Sequence, residues 1–469
     1  MNSQKVFLSW EAHKRISMGL GIPITMPEFR PKHRATISLI VINSIIYLAT
    51  SYNNFFLSVS DYWVTVGGFS PSLLTHTDQW YRFLTSMFLH ADIFHIFFNM
   101  YFLFFAGRAV EDALGSTRFI FLYLISGLAA SIFHSAYSFI GGLTSYAIPA
   151  IGASGAISGV LGAYLLFYPG TSLVVCIPVF FFPLCFPMRA SLYILFWFAM
   201  QVIYGFAMIA GGVAVFAHAG GFLAGIALLP ILANRRRIGI LRIITHATSI
   251  PFLRLPSSYY RGLSSTTKAV MSFLTIALIL GGAYTVIAAP SVGRVKVATI
   301  QYTLDGTPYI DYVAFRPPDF ESYRTTMALQ ETRVLLNRLA AASLLYDLKK
   351  ASKTIEIRDQ EIRTEHEISV GGRTVKVSVD SRIEYFRGSY GKDGILAQAN
   401  GTLVTRVIYI NQTNYYLSDP VRYEFLVNSM DVNVGLISRY TGLLSLLIAA
   451  IAQLTFLTRD WEFSIVAEE

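Results

Sequence analysis

Four polar side chains stand inside otherwise apolar stretches of this 469-residue chain: His95, Asn99, Ser154 and His218. A polar group at membrane depth is costly and by default marks a functional site. Ser154 lies in Gly152-Ala153-Ser154-Gly155-Ala156-Ile157-Ser158-Gly159, after a loop of small residues, about 141 to 152, that contains Pro149. Such a loop can dip inward and leave Ser154 at a helix N-terminus. There, free N–H groups and the positive end of the helix dipole stabilise an oxyanion. The pattern also has a plainer reading, because Ser is a favoured N-cap and Gly155-x-x-x-Gly159 is a common packing face. His218 occurs in Ala217-His218-Ala219-Gly220-Gly221-Phe222-Leu223-Ala224-Gly225. Gly221 and Gly225 make a second small face, and His218 shares a side of that helix with Gly221. If the two small faces pack, Ser154 can meet His218, the minimum arrangement for nucleophilic acyl transfer. Neither span holds an acidic residue, so a dyad is expected. The alternative for His218 is a packing histidine bonded to a backbone carbonyl.

His95 and Asn99, at i and i+4, share one helix face. Both can donate hydrogen bonds, which suits stabilising a tetrahedral intermediate together with the Ser154 N–H. Interhelical bonding that holds a bundle together is their other reading. His134 and Gln201 are further polar residues in apolar spans, with no partner evident from sequence.

The elements that must position these groups follow from charge and hydropathy. The chain is 54% hydrophobic and only 14% charged, against about a quarter charged in soluble domains. Residues 290–434 hold 18 Lys+Arg and 17 Asp+Glu and read as a soluble domain, whereas the remainder is charge-poor. A purely soluble protein is excluded. Nucleic-acid binding is excluded as the meaning of the +9 net charge, because the excess belongs to the membrane portion. Apolar windows near 36–57, 92–110, 118–140, 151–168, 190–210, 213–232, 269–289 and 435–457 are each about long enough to span a core of roughly 30 Å. The run 172–187 is cut by Pro178, Pro183 and Pro187 and reads as a segment at the membrane face. Cys176 and Cys185, the only cysteines, lie in that run and make no disulfide framework and no zinc signature.

Lys5, Lys14, Arg15, Arg30, Lys32 and Arg34, against Glu11 and Glu28, argue for a cytoplasmic N-terminus. Eight crossings then return 233–268 to the cytoplasm, where seven basic and no acidic residues agree with that side. The domain at 290–434 falls outside and the tail inside. Asn400-Gly401-Thr402 and Asn411-Gln412-Thr413 lie in the outer domain and support the orientation only weakly. No cleavable signal pattern precedes the first span.

Taken in order, these residues resemble the rhomboid intramembrane serine proteases. The likeness rests on Trp80-Tyr81-Arg82, on His90 and His95 with Asn99, and on Gly107-Arg108-Ala109-Val110-Glu111 before Gly115. It continues through Gly152-Ala153-Ser154-Gly155 and Ala217-His218 with Gly221 and Gly225. It covers about 36–232. The resemblance implies Ser154 as nucleophile and His218 as general base and then acid, with His95, Asn99 and Gly152 at the oxyanion hole. Trp80, Arg82, Glu111, Gly155, Gly221 and Gly225 are implied as structural. The implied partners are membrane-protein substrates cut within or beside a transmembrane segment; no metal or cofactor is implied. The fifth span, with Trp197 and Gln201, resembles the family's substrate-gate helix. One departure concerns Ser158: many rhomboids carry Tyr or Phe there, stacked on the catalytic histidine. Phe222 is a candidate substitute.

The expected fold class is an all-α polytopic membrane protein. Its parts are a cytoplasmic segment 1–35, a six-span rhomboid-like core 36–232, a basic linker 233–268, a seventh helix 269–289, an α+β extracytoplasmic domain 290–434, an eighth helix 435–457 and a cytoplasmic tail 458–469. In the outer domain, Arg294–Tyr302 and Arg373–Val379 read as strands and 319–353 as a long helix. That domain could bind substrate ectodomains, restrict access or act as a stabilising cap. His366-Glu367 lacks a second histidine at metalloprotease spacing. The expected function is an intramembrane serine endopeptidase of the cell membrane, with a polar cavity open to the outer face. The alternative is a catalytically silent rhomboid-like protein that binds or chaperones membrane clients. A proton-relaying transporter using His95, His134 and His218 has no charge pair in the spans to support it.

Overall fold

The computed structural model describes residues 33–179, 182–208, 215–248, 262–304, 306–315, 330–370, 373–410 and 414–468. Residues 1–32, Arg254, Arg261, the 319–329 part of the expected long helix and Asn411-Gln412-Thr413 lie outside the described residues. The apolar windows form α1 (Arg34–Ser51), α2 (Ile93–Leu114), α3 (Ser116–Tyr137), α4 (Ser154–Phe167), α5 (Ala190–Phe206) and α6 (Val215–Leu232). The basic α7 (Arg235–Thr248) and the apolar α8 (Ser265–Ala288) follow. Among the described residues six helices are long and apolar enough to cross a membrane: α1, α2, α3, α6, α8 and the last helix, Val434–Thr458.

The helices α4 and α5 are apolar but shorter than their windows suggested, at 14 and 17 residues. The chain before α4 is not helical, since Gly152 takes a φ of +119°. After α5, Met208 takes a left-handed φ of 54°, a helix-ending conformation. Twelve of the 14 residues of α4 are buried, as expected for a helix apolar on every side and ringed by others. What lets the neighbours close in is the absence of side chains. A Cβ on Gly221 would collide with Gly155 O, and one on Gly225 with Gly159 O, so α4 and α6 touch backbone to backbone. On the opposite side a Cβ on Gly155 would stand 2.5 Å from Ala130 Cβ of α3.

The run 172–187 is a two-stranded antiparallel hairpin, β1 (Ser172–Val179) with β2 (Phe182–Arg189), rather than only a surface-lying stretch. Its register sets Cys176 opposite Cys185, and Cys185 is disulfide-bonded, where the sequence showed no disulfide framework. A continuous apolar run gives no local sign of a strand pairing with itself.

Residues 294–433 fold as a six-stranded antiparallel sheet carrying a helix. The strands are β3 (Arg294–Leu304), β4 (Thr307–Phe315), β5 (Thr354–Val370), β6 (Arg373–Tyr390) and β7 (Leu396–Thr405). A small side hairpin, β8 (Ile408–Ile410) with β9 (Tyr415–Leu417), precedes β10 (Val421–Asn433). The order is β4-β3-β10-β7-β6-β5. The described helix here, α9 (Gln330–Ala341), is far shorter than the expected 319–353. Beyond it Ser343 takes a φ of 54° and Lys353 leads directly into β5, so the α-helix does not continue and 342–353 holds only a 3-10 turn, Leu348–Lys350. Leu335 and Leu339 of α9 pack on Ile300, Ile383, Phe386 and Tyr423 of the sheet. The final helix, α10 (Val434–Thr458), continues from β10 and packs on α3, α6 and α8.

The sheet is seated on the loops of the helical part. Tyr146 and Ala147, from the loop before α4, share a buried cluster with Val295, Val297, Val432 and Ile437. The Tyr146 hydroxyl lies 2.6 Å from Ser438 Oγ, and Gln301 donates to Thr65 Oγ1 at 3.2 Å. At the other end, the chain after α10 returns to the helix ends. Ile465 N donates to Phe167 O, and the Glu468 carboxylate accepts from Ser191 Oγ, Ser264 N and Thr267 Oγ1.

Glu111 is buried at 3% exposure and ties three segments together. Its carboxylate accepts from Ala35 N at 3.0 Å, Thr36 N at 2.9 Å, Thr36 Oγ1 at 2.7 Å and Ser116 Oγ at 2.6 Å. An anionic acceptor is required by this set of donors. Glu111→Gln should cost about 2 kcal/mol of stability, read as a lower thermal midpoint of the detergent-solubilised protein. Gly225→Val should prevent folding to a monodisperse species on size-exclusion chromatography, because no adjustment of a side chain relieves a clash with Gly159 O.

Candidate active site

The loop leading to α4 is fixed before the helix begins. Phe69 and Ala150 exchange two backbone hydrogen bonds, at 3.2 and 2.7 Å, and Gly152 N donates to Ser86 O at 2.8 Å. Ala153 N points at His90 Nε2, 3.4 Å away. The 65–85 loop is itself braced: Arg82 donates to Gln79 Oε1, Thr65 O and Gly68 O, and Trp80 Nε1 donates to Leu74 O at 3.0 Å. Ala153 occupies the cap position of α4, and Ser154 is the first helical residue. Its hydroxyl is therefore not spent on capping.

That hydroxyl lies 2.8 Å from His218 Nε2, so the touching faces of α4 and α6 bring the two groups together. His218 Nδ1 lies 2.9 Å from Gln201 Oε1 of α5. An amide oxygen only accepts, so Nδ1 carries the ring proton and Nε2 presents its lone pair to the Ser154 hydroxyl. The far end of the amide agrees, since Gln201 Nε2 points at Trp197 O at 3.5 Å. A chain of three side chains from three helices results.

His95 and Asn99 enter from α2, whose N-cap, Asp92, accepts from His95 N at 2.9 Å. His95 Nδ1 accepts from Ala91 N at 3.2 Å, which leaves the ring proton on Nε2 as a donor. That nitrogen lies beside Gly152, where an added Cβ would stand 2.7 Å from it. A side chain at position 152 would fill the space in front of His95, and the φ of +119° is one that L-residues rarely adopt. Asn99 Nδ2 donates to His95 O at 2.8 Å, which uses one of its two N–H groups and leaves the other. Ser154, His218, His95, Asn99, Gly152 and Trp197 all line one cavity of about 620 Å³. The arrangement offers a hydroxyl on an imidazole acceptor, and separate N–H donors across the same space.

Of the other polar residues singled out from sequence, Ser158 lines the same cavity and His134 does not. His134 Nε2 is buried with no hydrogen-bond partner. Ser158 is 1% exposed and donates back to Ser154 O at 2.6 Å, so it serves its own helix. The expectation that Phe222 replaces the missing stacking aromatic is corrected: Phe222 stacks on Phe198 at 4.5 Å. The aromatic beside His218 is Trp197, ring centroids 6.2 Å apart and tilted by 35°. Trp197 and Gln201 stand at i and i+4, the same one-face spacing that drew attention to His95 and Asn99, so the signal was present in the sequence. Among the described residues no three His, Cys, Asp or Glu side chains come together as metal ligands.

Comparison with known proteins matches a family model, the Rhomboid domain, over residues 77–235. RHOMBOID-like protein 1 of Arabidopsis thaliana is 32% identical over 174 residues, which is 37% of this chain and 40% of that protein. Rhomboid protease GluP of Bacillus subtilis (strain 168) is 40% identical over 102 residues, 22% of this chain and 18% of its own. Inactive RHOMBOID-like protein 8 of Arabidopsis thaliana is 36% identical over 100 residues, 21% of this chain and 26% of its own. The chain thus spans less than half the length of these relatives. Residues 77–235 of this multi-pass membrane protein thus match a Rhomboid domain.

Proposed function

We propose that the chain is an intramembrane serine endopeptidase that cleaves membrane proteins within or beside a transmembrane segment. The observation that carries this reading is the 2.8 Å contact between Ser154 Oγ and His218 Nε2 in a cavity that also presents His95 and Asn99. Ser154 Oγ attacks the scissile carbonyl carbon as its proton passes to His218 Nε2. The carbonyl oxygen becomes an oxyanion, held by His95 Nε2–H, the free N–H of Asn99 and the backbone N–H at Ser154, which has no intrahelical acceptor. Collapse breaks the C–N bond, and the proton on Nε2 goes to the departing amine. Water then attacks the acyl-enzyme, with His218 taking its proton, and Ser154 is regenerated.

The same reading assigns eight crossings in the cell membrane, with α4 and α5 as the two short ones. Both termini are then cytoplasmic and the sheet domain is extracytoplasmic, above the loops that lead to Ser154. A relative named a rhomboid protease supports the activity. A relative named inactive supports the other reading, a silent protein that binds membrane clients. The Ser154–His218 contact favours the first, because a client-binding role requires no nucleophile paired with a base.

Ser154→Ala and His218→Ala should each lower cleavage of a transmembrane substrate in reconstituted lipid vesicles by about 10³-fold or more. Thermal midpoints should be retained, and labelling by a fluorophosphonate should disappear with Ser154→Ala. Normal turnover by Ser154→Ala would remove the assignment. His95→Ala and Asn99→Ala should each lower kcat by about 10²-fold with smaller effects on KM, since the donors act on charge that develops only in the transition state.

A further inference from the structure

We propose that Gln201 is the positioning residue of this site, the third member of a Ser154–His218–Gln201 relay, acting through His218 rather than on substrate. The inference rests on the protease reading above. A base in a Ser–His pair needs one tautomer and one ring orientation, and these are commonly set by a hydrogen bond to the other ring nitrogen. Here that bond comes from an amide: Gln201 Oε1 stands 2.9 Å from His218 Nδ1. Reversing the amide would set an N–H against the Nδ1 proton and turn Oε1 towards Trp197 O, so the contact to that carbonyl locks the orientation that serves His218.

The surroundings explain why an amide occupies this place. The ionisable side chains that share the cavity with His218 are Asp92 and His95 of α2 and Tyr193 of α5, and the one carboxylate, Asp92, is engaged as the cap of α2 at His95 N. A carboxylate at position 201 would add a charge to an apolar bundle at considerable cost, whereas a neutral amide orients the ring without one. Nothing on α4 takes this part, because Ser158 is bonded to its own helix. Both restraints on the imidazole come from α5 instead: Gln201 holds Nδ1, and Trp197, one turn earlier, covers the ring at 6.2 Å. The helix that carries no reacting atom thus sets the geometry of the base.

The test uses the full-length protein in lipid vesicles with a transmembrane substrate, comparing Gln201→Leu, Gln201→Glu and Ser154→Ala with the unaltered chain. Gln201→Leu should lower kcat by about 10- to 100-fold with KM within about twofold, because the ring loses its tautomer and aim while the cavity remains. Gln201→Glu places a carboxylate against Nδ1–H and stabilises the imidazolium. A base that must be neutral to act then needs higher pH, so the acid limb of kcat/KM should move up by about one pH unit. A purely structural role for Gln201 would leave that limb where it is. Unchanged kcat in Gln201→Leu, or an unmoved acid limb in Gln201→Glu, overturns the proposal while the protease reading stands. Should Gln201→Leu fail to fold, the acid limb of Gln201→Glu decides alone. Cleavage that persists in Ser154→Ala instead overturns the protease reading, and the relay with it.

Discussion

Contact between two backbones is the condition on which the rest of this structure depends. Gly221 and Gly225 of α6 lie so close to Gly155 O and Gly159 O of α4 that no side chain fits between them. Helices packed through larger residues lie roughly 8–10 Å apart, and at that separation a serine and a histidine near the ends of two helices would not reach one another. In a membrane the effect matters more, because lipid supplies no hydrophobic drive for helices to associate and close packing does the work. The glycines therefore act twice, in holding the bundle and in setting the 2.8 Å between Ser154 and His218.

Close approach of α4 would be of little use if its start were free to move. The loop before it is bonded at Ala150 to Phe69, at Gly152 to Ser86 and near His90 at Ala153, and the loop around Arg82 is braced in turn. The sheet domain adds a further hold. Tyr146, four residues before Ala150, is buried among Val295, Val297 and Val432 and lies against Ser438 of α10. The charged domain is thus packed onto the segment that delivers Ser154. It is not a separate unit hung on two tethers.

Much of this was legible in the sequence for local reasons. Hydropathy and charge density are properties of a window, so the division into apolar helices and a charged domain followed from counting. Polar residues inside apolar spans stand out for the same reason, which is how Ser154, His218, His95 and Asn99 were found. Helical spacing alone paired His95 with Asn99 and Gly221 with Gly225. The misreadings arose where local pattern and partner disagree. The prolines of 172–187 spoke against a continuous helix, but its pairing with itself as β1 and β2 had no local sign. The stretch 342–353 has helix-forming residues yet turns at Ser343 and feeds β5, because the sheet needs a strand there.

Residue types and their order are enough to say which side chains are too polar for their surroundings and which faces are small enough to touch. The pairings across helices belong to the fold: Gln201 with His218, Trp197 beside it, Phe222 on Phe198, Tyr146 against Ser438. The physical reason is that spacing along one helix settles which side chains share a face. Which partner that face meets depends on the rotation and depth of a second helix, and these are set by packing among residues far apart in the chain.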